Sequence, residues 1–205
     1  MIEPVEIARR GGGLLRGQLH NGGDDCVLLV HEPGRDLDAW DPLPQMLFAY
    51  RLTVLAIDLA GHGGSEGERD PARTAEDAAA AARILRGRAD GPLFVGAAGA
   101  SAAPALAAAH SLGARGFFAI DPVLDEAPRL PTLAILPALD EQAQAGAELL
   151  RAAPGWTVAA HVPVRARGLE LLSSDWSENV QAYVATFLND LRLGAPRPDP
   201  AGAVR

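Results

Sequence analysis

Residues 91–113 read GPLFVGAAGASAAPALAAAHSLG, and this stretch predicts a strand, a sharp turn and a helix in immediate succession. The apolar run that follows Gly-Pro is typical of a buried strand. The small residues at 96–100 allow one backbone segment to approach another closely, as a sharp turn requires. The alanine-rich segment Ala100–Leu112 favours a helix, in which Pro104 is tolerated because it lies near the start.

On both sides of this stretch, apolar runs of strand length alternate with segments of helical spacing. The predicted strands are an edge pair within 4–20 and runs at Cys26–His31, Leu52–Asp58, Leu93–Ala97, Phe117–Asp121, Leu133–Leu136 and Thr157–Val162. The predicted helices are Trp40–Tyr50, Thr74–Arg88, Ala100–Leu112, Glu141–Ala152 and Ser177–Leu191. This alternation indicates an α/β protein with a mostly parallel sheet and helices on both faces. We expect one domain over residues 1–192 and a disordered tail over 193–205.

Composition excludes several classes of protein. The chain has 205 residues, 48% of them hydrophobic, which is enough for a sizeable core. A net charge of -8 with mixed acidic and basic residues argues against a nucleic-acid partner. Cys26 is the single cysteine, and no histidine or cysteine spacing suits a metal, so we expect neither a disulfide nor a metal site. Without a signal peptide or a long apolar run, we expect a soluble cytoplasmic protein that does not bind membranes.

Residues 27–67 resemble the α/β-hydrolase family: VLLVHEPGRDLDAWDPLPQMLFAYRLTVLAIDLAGHGGSEG. In that family a strand, a His-Gly loop, a helix and a second strand precede the pattern Asp-x-x-Gly-His-Gly-x-Ser. The matching residues are Asp58, Gly61, His62, Gly63 and Ser65. The resemblance covers about residues 5–192 and implies the α/β-hydrolase fold. Only about ten residues separate Asp121 from Pro131, so we expect no cap domain and an open site.

The resemblance places the nucleophile of such hydrolases on the sharp turn of residues 91–113. The family pattern Gly-x-Ser-x-Gly aligns with residues 96–100, GAAGA, so Ala98 stands where the serine is expected. A second alignment, on GASAA at 99–103, restores a serine at Ser101, but it lengthens the strand by three residues. Ser101 is therefore the alternative nucleophile.

The resemblance also gives positions for the acid and the base. The acid is expected after PTLAILPALD, where Asp140 fits, and Asp121 is an alternative at the end of an earlier strand. The histidine is expected in the loop VPVRARG, where Arg167 stands instead. His161 lies within a strand, and we expect it to be a packing residue. An arginine can form a forked contact with a carboxylate, so we expect Arg167 to pair with Asp140.

The oxyanion hole implied by the resemblance is incomplete. Gly99 can supply one backbone N–H, but the second would fall on Pro33, which has none. Glu32 occupies the expected glycine and brings a carboxylate close to the developing negative charge. His31 and His62 border the site, and we expect both to form hydrogen bonds within the scaffold.

Three separate loops thus depart from the hydrolase pattern together. The sequence predicts a protein that has lost hydrolysis, needs no cofactor, and binds a small molecule or a partner protein at the former active-site cleft. An anionic or ester-like ligand would suit Arg167 and the N–H groups that begin the helix after Gly99. Two alternatives stay open: a lidless serine hydrolase, of the carboxylesterase or acyl hydrolase type, that uses Ser101 or another nucleophile, and a structural protein that forms a homodimer.

Overall fold

The computed structural model describes residues 2–139 and 143–194, which form one eight-stranded sheet with helices on both faces. The strand order is β1-β2-β4-β3-β5-β6-β7-β8. The strands are β1 Ile2–Ala8, β2 Leu14–His20, β3 Cys26–Val30, β4 Thr53–Ile57, β5 Leu93–Ala98, β6 Gly116–Ile120, β7 Thr132–Pro137 and β8 Thr157–Val162. Strand β2 runs antiparallel to β1 and β4, and all the other pairs are parallel. The sheet is therefore mostly parallel, as the sequence predicted.

Five strands, β3 to β7, are buried along their whole length. Their sequences are continuous apolar runs because helices cover both faces of a parallel sheet. The helices are α1 Leu43–Ala49, α2 Thr74–Arg86, α3 Ala102–Ser111, α4 Ala143–Arg151 and α5 Ser177–Leu193. Helices α2 and α3 pack on one face of the sheet, and α1 and α5 pack on the other.

Alternate residues of each buried strand enter two different cores. Val95 and Phe117 belong to the core beneath α2 and α3, whereas their neighbours Phe94 and Phe118 belong to the core beneath α1 and α5. Trp40 is fully buried in the second core and meets Phe118 edge to face, with ring centroids 6.4 Å apart. Burying aromatic side chains of this size supplies a large share of the hydrophobic stabilisation.

The first predicted helix is divided in the structure. A short 3-10 turn covers Leu37–Trp40, and α1 begins only at Leu43. Asp41 is extended at ψ 137° because the residue before a proline, here Pro42, is kept out of the helical region. The other predicted helices are present with shifted ends.

Residues 121–131, between β6 and β7, contain neither helix nor strand, and no cap domain is inserted there. No helix within the described ranges is long and apolar enough to cross a membrane. The predicted tail falls almost entirely on 195–205, outside the described residues. The carboxyl ends of β3 to β8 lie along one edge of the sheet, where the loops that follow β3, β5, β6 and β8 contact one another.

Candidate active-site cleft

The Asp58 motif holds the loop after β4 in a fixed shape. Asp58 accepts N–H hydrogen bonds from Leu37 and Gly64, both at 2.8 Å, through its two carboxylate oxygens. The Ser65 hydroxyl donates to the Asp58 carbonyl at 2.7 Å. Gly63 has φ 49°, and a Cβ there would lie 2.1 Å from Asp58 Oδ2, so only glycine fits. The motif is therefore a scaffold for the loop after β4.

The sharp turn after β5 begins at Gly99. Ala98 still pairs with Ile120 of β6 and is extended, with φ -136° and ψ 152°. Gly99 has φ 51°, in the left-handed region, and starts the 3-10 turn that leads into α3. The turn thus comes one residue later than the predicted tip at Ala98, because strand pairing continues through Ala98. Neither Ala98 nor Gly99 carries a hydroxyl.

Ser101 lies two residues after Gly99, at the end of the 3-10 turn, and its side chain is inside the protein. The residue is only 2% exposed, and its hydroxyl has no hydrogen-bond partner among the residues that the structure describes. No imidazole therefore contacts this hydroxyl within those residues. A serine nucleophile needs an adjacent base and access to substrate, and within the described residues Ser101 has neither.

The Glu32 side chain fills the space between the turn after β5 and the loop after β8. Its Oε1 accepts the Leu169 N–H at 2.9 Å. A Cβ placed on Gly99 would lie 2.6 Å from Glu32 Oε2, and one placed on Gly168 would lie 1.9 Å from the same atom. The carboxylate thus packs directly against both glycines, and a larger residue at either position would require Glu32 to move.

The surroundings of Glu32 disfavour its charge. Burial raises the pKa of Glu32, and the nearby carboxylates Asp121 and Glu170 raise it further. The Leu169 N–H and the Arg35 guanidinium, whose Nε lies 3.9 Å from Glu32 Oε1, act in the opposite direction. Burial is the largest of these effects, so the net shift is upward.

Asp121, directly after β6, fixes the loop after β8 from the other side. Its backbone is left-handed at φ 49°, and the residue is 6% exposed. Asp121 Oδ2 accepts two hydrogen bonds, from Arg167 Nε at 2.6 Å and from the Gly168 N–H at 2.9 Å. Asp140, the predicted acid and partner of Arg167, lies outside the described residues, so this pairing stays a prediction.

The loop that would carry a catalytic histidine is therefore held by two carboxylates. Asp121 binds the N–H of Gly168, and Glu32 binds the N–H of the next residue, Leu169. A 3-10 helix covers Gly168–Ser173, and its leucines enter the core beneath α1 and α5. His161 was expected to be a packing residue, and this prediction is wrong, because its side chain is exposed on the edge strand β8. No hydrogen bond within the described chain connects His161 to the cleft.

His31 and His62 lie in the neighbouring loops, after β3 and β4, and form hydrogen bonds there. The His31 Nδ1–H donates to the Glu32 carbonyl at 2.8 Å, and its Nε2 accepts the Leu59 N–H at 3.0 Å. Burial lowers the pKa of His31, in keeping with a neutral ring that uses one nitrogen as donor and one as acceptor. The two rings meet edge to face with centroids 5.1 Å apart, and the His62 Nδ1–H donates to the Ala60 carbonyl at 2.9 Å.

A cavity of about 250 Å³ adjoins these loops. Its wall comes from the loop after β3, the loop after β4 and the start of α2. The lining residues are Pro33, Gly34, Leu59, Ala60, His62, Arg69, Asp70, Pro71, Thr74 and Asp77. Pro33, which has no N–H to offer an oxyanion, thus belongs to the wall of this cavity. Within the described ranges, no three metal-binding side chains come together.

The eight-stranded sheet and the absence of an inserted cap between β6 and β7 are those of the lidless α/β-hydrolase fold. The sequence profile described as "Alpha/beta hydrolase family" matches residues 27–204, and the chain belongs to this family. No curated protein sequence matches the chain.

Solved structures with the same fold include several esterases. The esterase Pf2001 of Pyrococcus furiosus has a TM-score of 0.75 at 17% identity, with 92% of this chain and 90% of that chain covered. An α/β serine hydrolase without a lid from Xanthomonas campestris has a TM-score of 0.66 at 17% identity, covering 78% and 84%. A protein of unknown function from Agrobacterium tumefaciens has a TM-score of 0.78 at 18% identity, covering 97% and 100%. At these identities the likeness shows the fold alone.

The sequence did not reveal two features of the cleft. Gly168 follows Arg167 directly, but nothing in the loop sequence indicates that Gly168 is the residue that packs against Glu32. Asp121 was expected only as an alternative acid, whereas the structure shows it holding the loop after β8. The one indication of this role in the sequence was that Asp121 directly follows a buried strand, where side chains reach the cleft edge.

Proposed function

We propose that this member of the α/β-hydrolase family does not hydrolyse esters and instead binds a small molecule beside the former catalytic centre. The observation that carries the proposal is the Glu32 carboxylate packed between Gly99 and Gly168. In a hydrolase this space belongs to the nucleophile, the base and the reacting carbonyl. Here a fixed carboxylate fills it.

The chemistry of acyl transfer supports this proposal. Removing the serine or the histidine of a serine protease lowers the rate by about a millionfold. Gly99 and Ala98 have no hydroxyl, and the Ser101 hydroxyl is buried without a partner among the described residues. A negative charge on Glu32 would also repel the oxyanion that forms during acyl transfer, and Pro33 cannot donate to it.

The cavity beside the centre supports binding. At about 250 Å³ it is somewhat smaller than the roughly 300–1,000 Å³ typical of pockets for drug-sized ligands. A ligand the size of a small metabolite fits that volume. We also propose that the protein is a pseudoenzyme and that it is located in the cytoplasm, as the sequence led us to expect.

Ester turnover tests the proposal. The purified protein should show no saturable hydrolysis of p-nitrophenyl acetate, butyrate or octanoate, and Ser101→Ala should give the same background as the unaltered chain. Saturable turnover that disappears in Ser101→Ala would contradict the proposal and support the serine-hydrolase alternative. Because the Ser101 hydroxyl makes no hydrogen bond among the described residues, Ser101→Ala should fold normally, which a circular dichroism spectrum checks.

A further inference from the structure

The wall of the 250 Å³ cavity contains a buried acceptor without a partner among the described residues. His62 is 8% exposed, and its Nδ1–H is committed to the Ala60 carbonyl. The remaining ring nitrogen, Nε2, is buried and has no hydrogen-bond partner in the described part of the chain. In this tautomer Nε2 is an acceptor, so it requires a donor that the described residues do not provide.

Two side chains of opposite charge lie at the rim of the same cavity without pairing. Arg69 uses Nε to donate to the Gly61 carbonyl at 3.0 Å, which fixes the guanidinium group. Asp70 uses one carboxylate oxygen to accept the Ala72 N–H at 3.0 Å. No ion pair joins Arg69 or Asp70 to any other residue within 2–139 and 143–194. One positive and one negative group are therefore available to a ligand.

The remaining charge at the cavity is neutralised internally. Asp77 accepts a hydrogen bond from Arg9 Nε at 2.8 Å, and its other oxygen accepts the Ala60 N–H at 3.2 Å. The two side chains of this pair are 4% and 2% exposed. Asp77 therefore contributes no net charge to a ligand. The charges left at the cavity are one cation and one anion, and the neutral polar groups of its wall include His62 Nε2 and the Thr74 hydroxyl.

We infer that this cavity binds a small zwitterion, specifically an aliphatic α-amino acid. Its carboxylate binds the Arg69 guanidinium, and its ammonium group donates to Asp70 and to His62 Nε2. Leu59, Ala60 and the two prolines of the wall contact the aliphatic side chain. The inference rests on the proposed function, because it names the ligand class of the binding site beside the former catalytic centre.

Matched ligands isolate the two charges. The probes are L-valine, 3-methylbutanoate, which lacks the ammonium group, and isobutylamine, which lacks the carboxylate. Isothermal titration calorimetry should show saturable binding of valine, and both single-charge analogues should bind at least about tenfold more weakly. Absence of valine binding, or equal binding of an analogue, would overturn the inference.

Two matched variants test the separate contributions of Arg69 and Asp70 to binding. Arg69→Met removes the guanidinium but keeps an apolar stem, and Asp70→Asn removes the charge while an amide oxygen can still accept the Ala72 N–H. Each should weaken valine binding about tenfold. Arg69→Met should leave the affinity for isobutylamine unchanged, and Asp70→Asn should leave that for 3-methylbutanoate unchanged.

Two further variants provide a control for Arg69 and a test of His62. Arg83→Met, on the exposed face of α2 and outside the cavity lining, should bind valine like the unaltered protein, and equal weakening there would overturn the role of Arg69. His62→Asn keeps a donor for the Ala60 carbonyl and removes the Nε2 acceptor, so it should weaken valine and isobutylamine alike. Failure of valine binding would remove this ligand class only, whereas the proposed loss of hydrolysis is decided separately by ester turnover and covalent labelling.

Discussion

Glu32 and Gly168 are in such close contact that a Cβ on the glycine would lie 1.9 Å from Glu32 Oε2, although the two residues come from loops near opposite ends of the chain. The contact joins the loop after β3 to the loop after β8. Because it joins the two loops, a change on either side of it should alter the stability of both.

Gly168→Ala should destabilise the protein by about 1–3 kcal/mol, because the new methyl group overlaps the Glu32 carboxylate. Gly113→Ala is the matched control, since Gly113 is also left-handed, at φ 63°, but nothing lies within 4 Å of the position that its new methyl group would take. Urea unfolding should show the larger loss at Gly168, and Glu32→Gly should reduce that loss when the two changes are combined. Equal losses at Gly168 and Gly113, or strict additivity with Glu32→Gly, would contradict the contact.

Glu32→Gln should gain stability relative to the unaltered protein as the pH rises. Burial raises the pKa of Glu32 above its ordinary value of 4.5, so the folded protein keeps this proton to higher pH than the unfolded chain does. The contribution of Glu32 to stability is therefore full below the unfolded pKa and is lost as the pH rises through the folded pKa. Urea unfolding of both proteins between about pH 4 and pH 8 measures the difference. A difference that stays constant, or changes in the opposite direction, would refute the raised pKa.

Asp121→Ala should cost about 1–3 kcal/mol, because the buried Gly168 N–H loses its acceptor. Asp121→Asn should cost less, since asparagine tolerates the left-handed backbone and offers an amide oxygen to the same N–H. Urea unfolding gives the two losses, and amide hydrogen exchange at Gly168 should accelerate more in the alanine variant. If asparagine were as damaging as alanine, the hydrogen bond to Gly168 would not be the main role of Asp121.

Cys26 should resist labelling in the folded protein. It is 1% exposed, and burial raises the pKa of its thiol to about 11, so little thiolate exists at about pH 8. Reaction with 5,5′-dithiobis(2-nitrobenzoate) should be slow in buffer and fast in urea. Rapid reaction of the folded protein would show that the start of β3 opens locally.

Most of the sheet could be predicted from the sequence because five of its eight strands, β3 to β7, are apolar runs buried along their whole length. Predicted strands such as Leu93–Ala97 and Thr157–Val162 match the observed ones to within a residue at each end. Helix boundaries were less accurate where local chemistry intervened, as at Pro42, where the predicted first helix is divided. The order of the elements was sufficient to indicate the α/β-hydrolase fold.

The interior of the cleft could be predicted only in part. The absence of a serine at the turn and the proline in the oxyanion loop are visible in the sequence, since they depend on the identity of one residue each. The position of the Glu32 side chain is not visible, because it depends on the meeting of distant loops, as in the hydrogen bond that Leu169 donates to Glu32 across 137 positions. A glutamate after a strand is ordinarily a surface residue, and its burial against two glycines is a property of the tertiary structure.

The central claim, that the cleft holds no activated serine, is tested most directly by covalent labelling. The purified protein is incubated with a fluorophosphonate, and its intact mass is measured beside that of Ser101→Ala. We predict no adduct on either protein. A single adduct on the unaltered chain that is absent from Ser101→Ala would contradict the claim, because Ser101 would then be an activated nucleophile and the protein a working hydrolase.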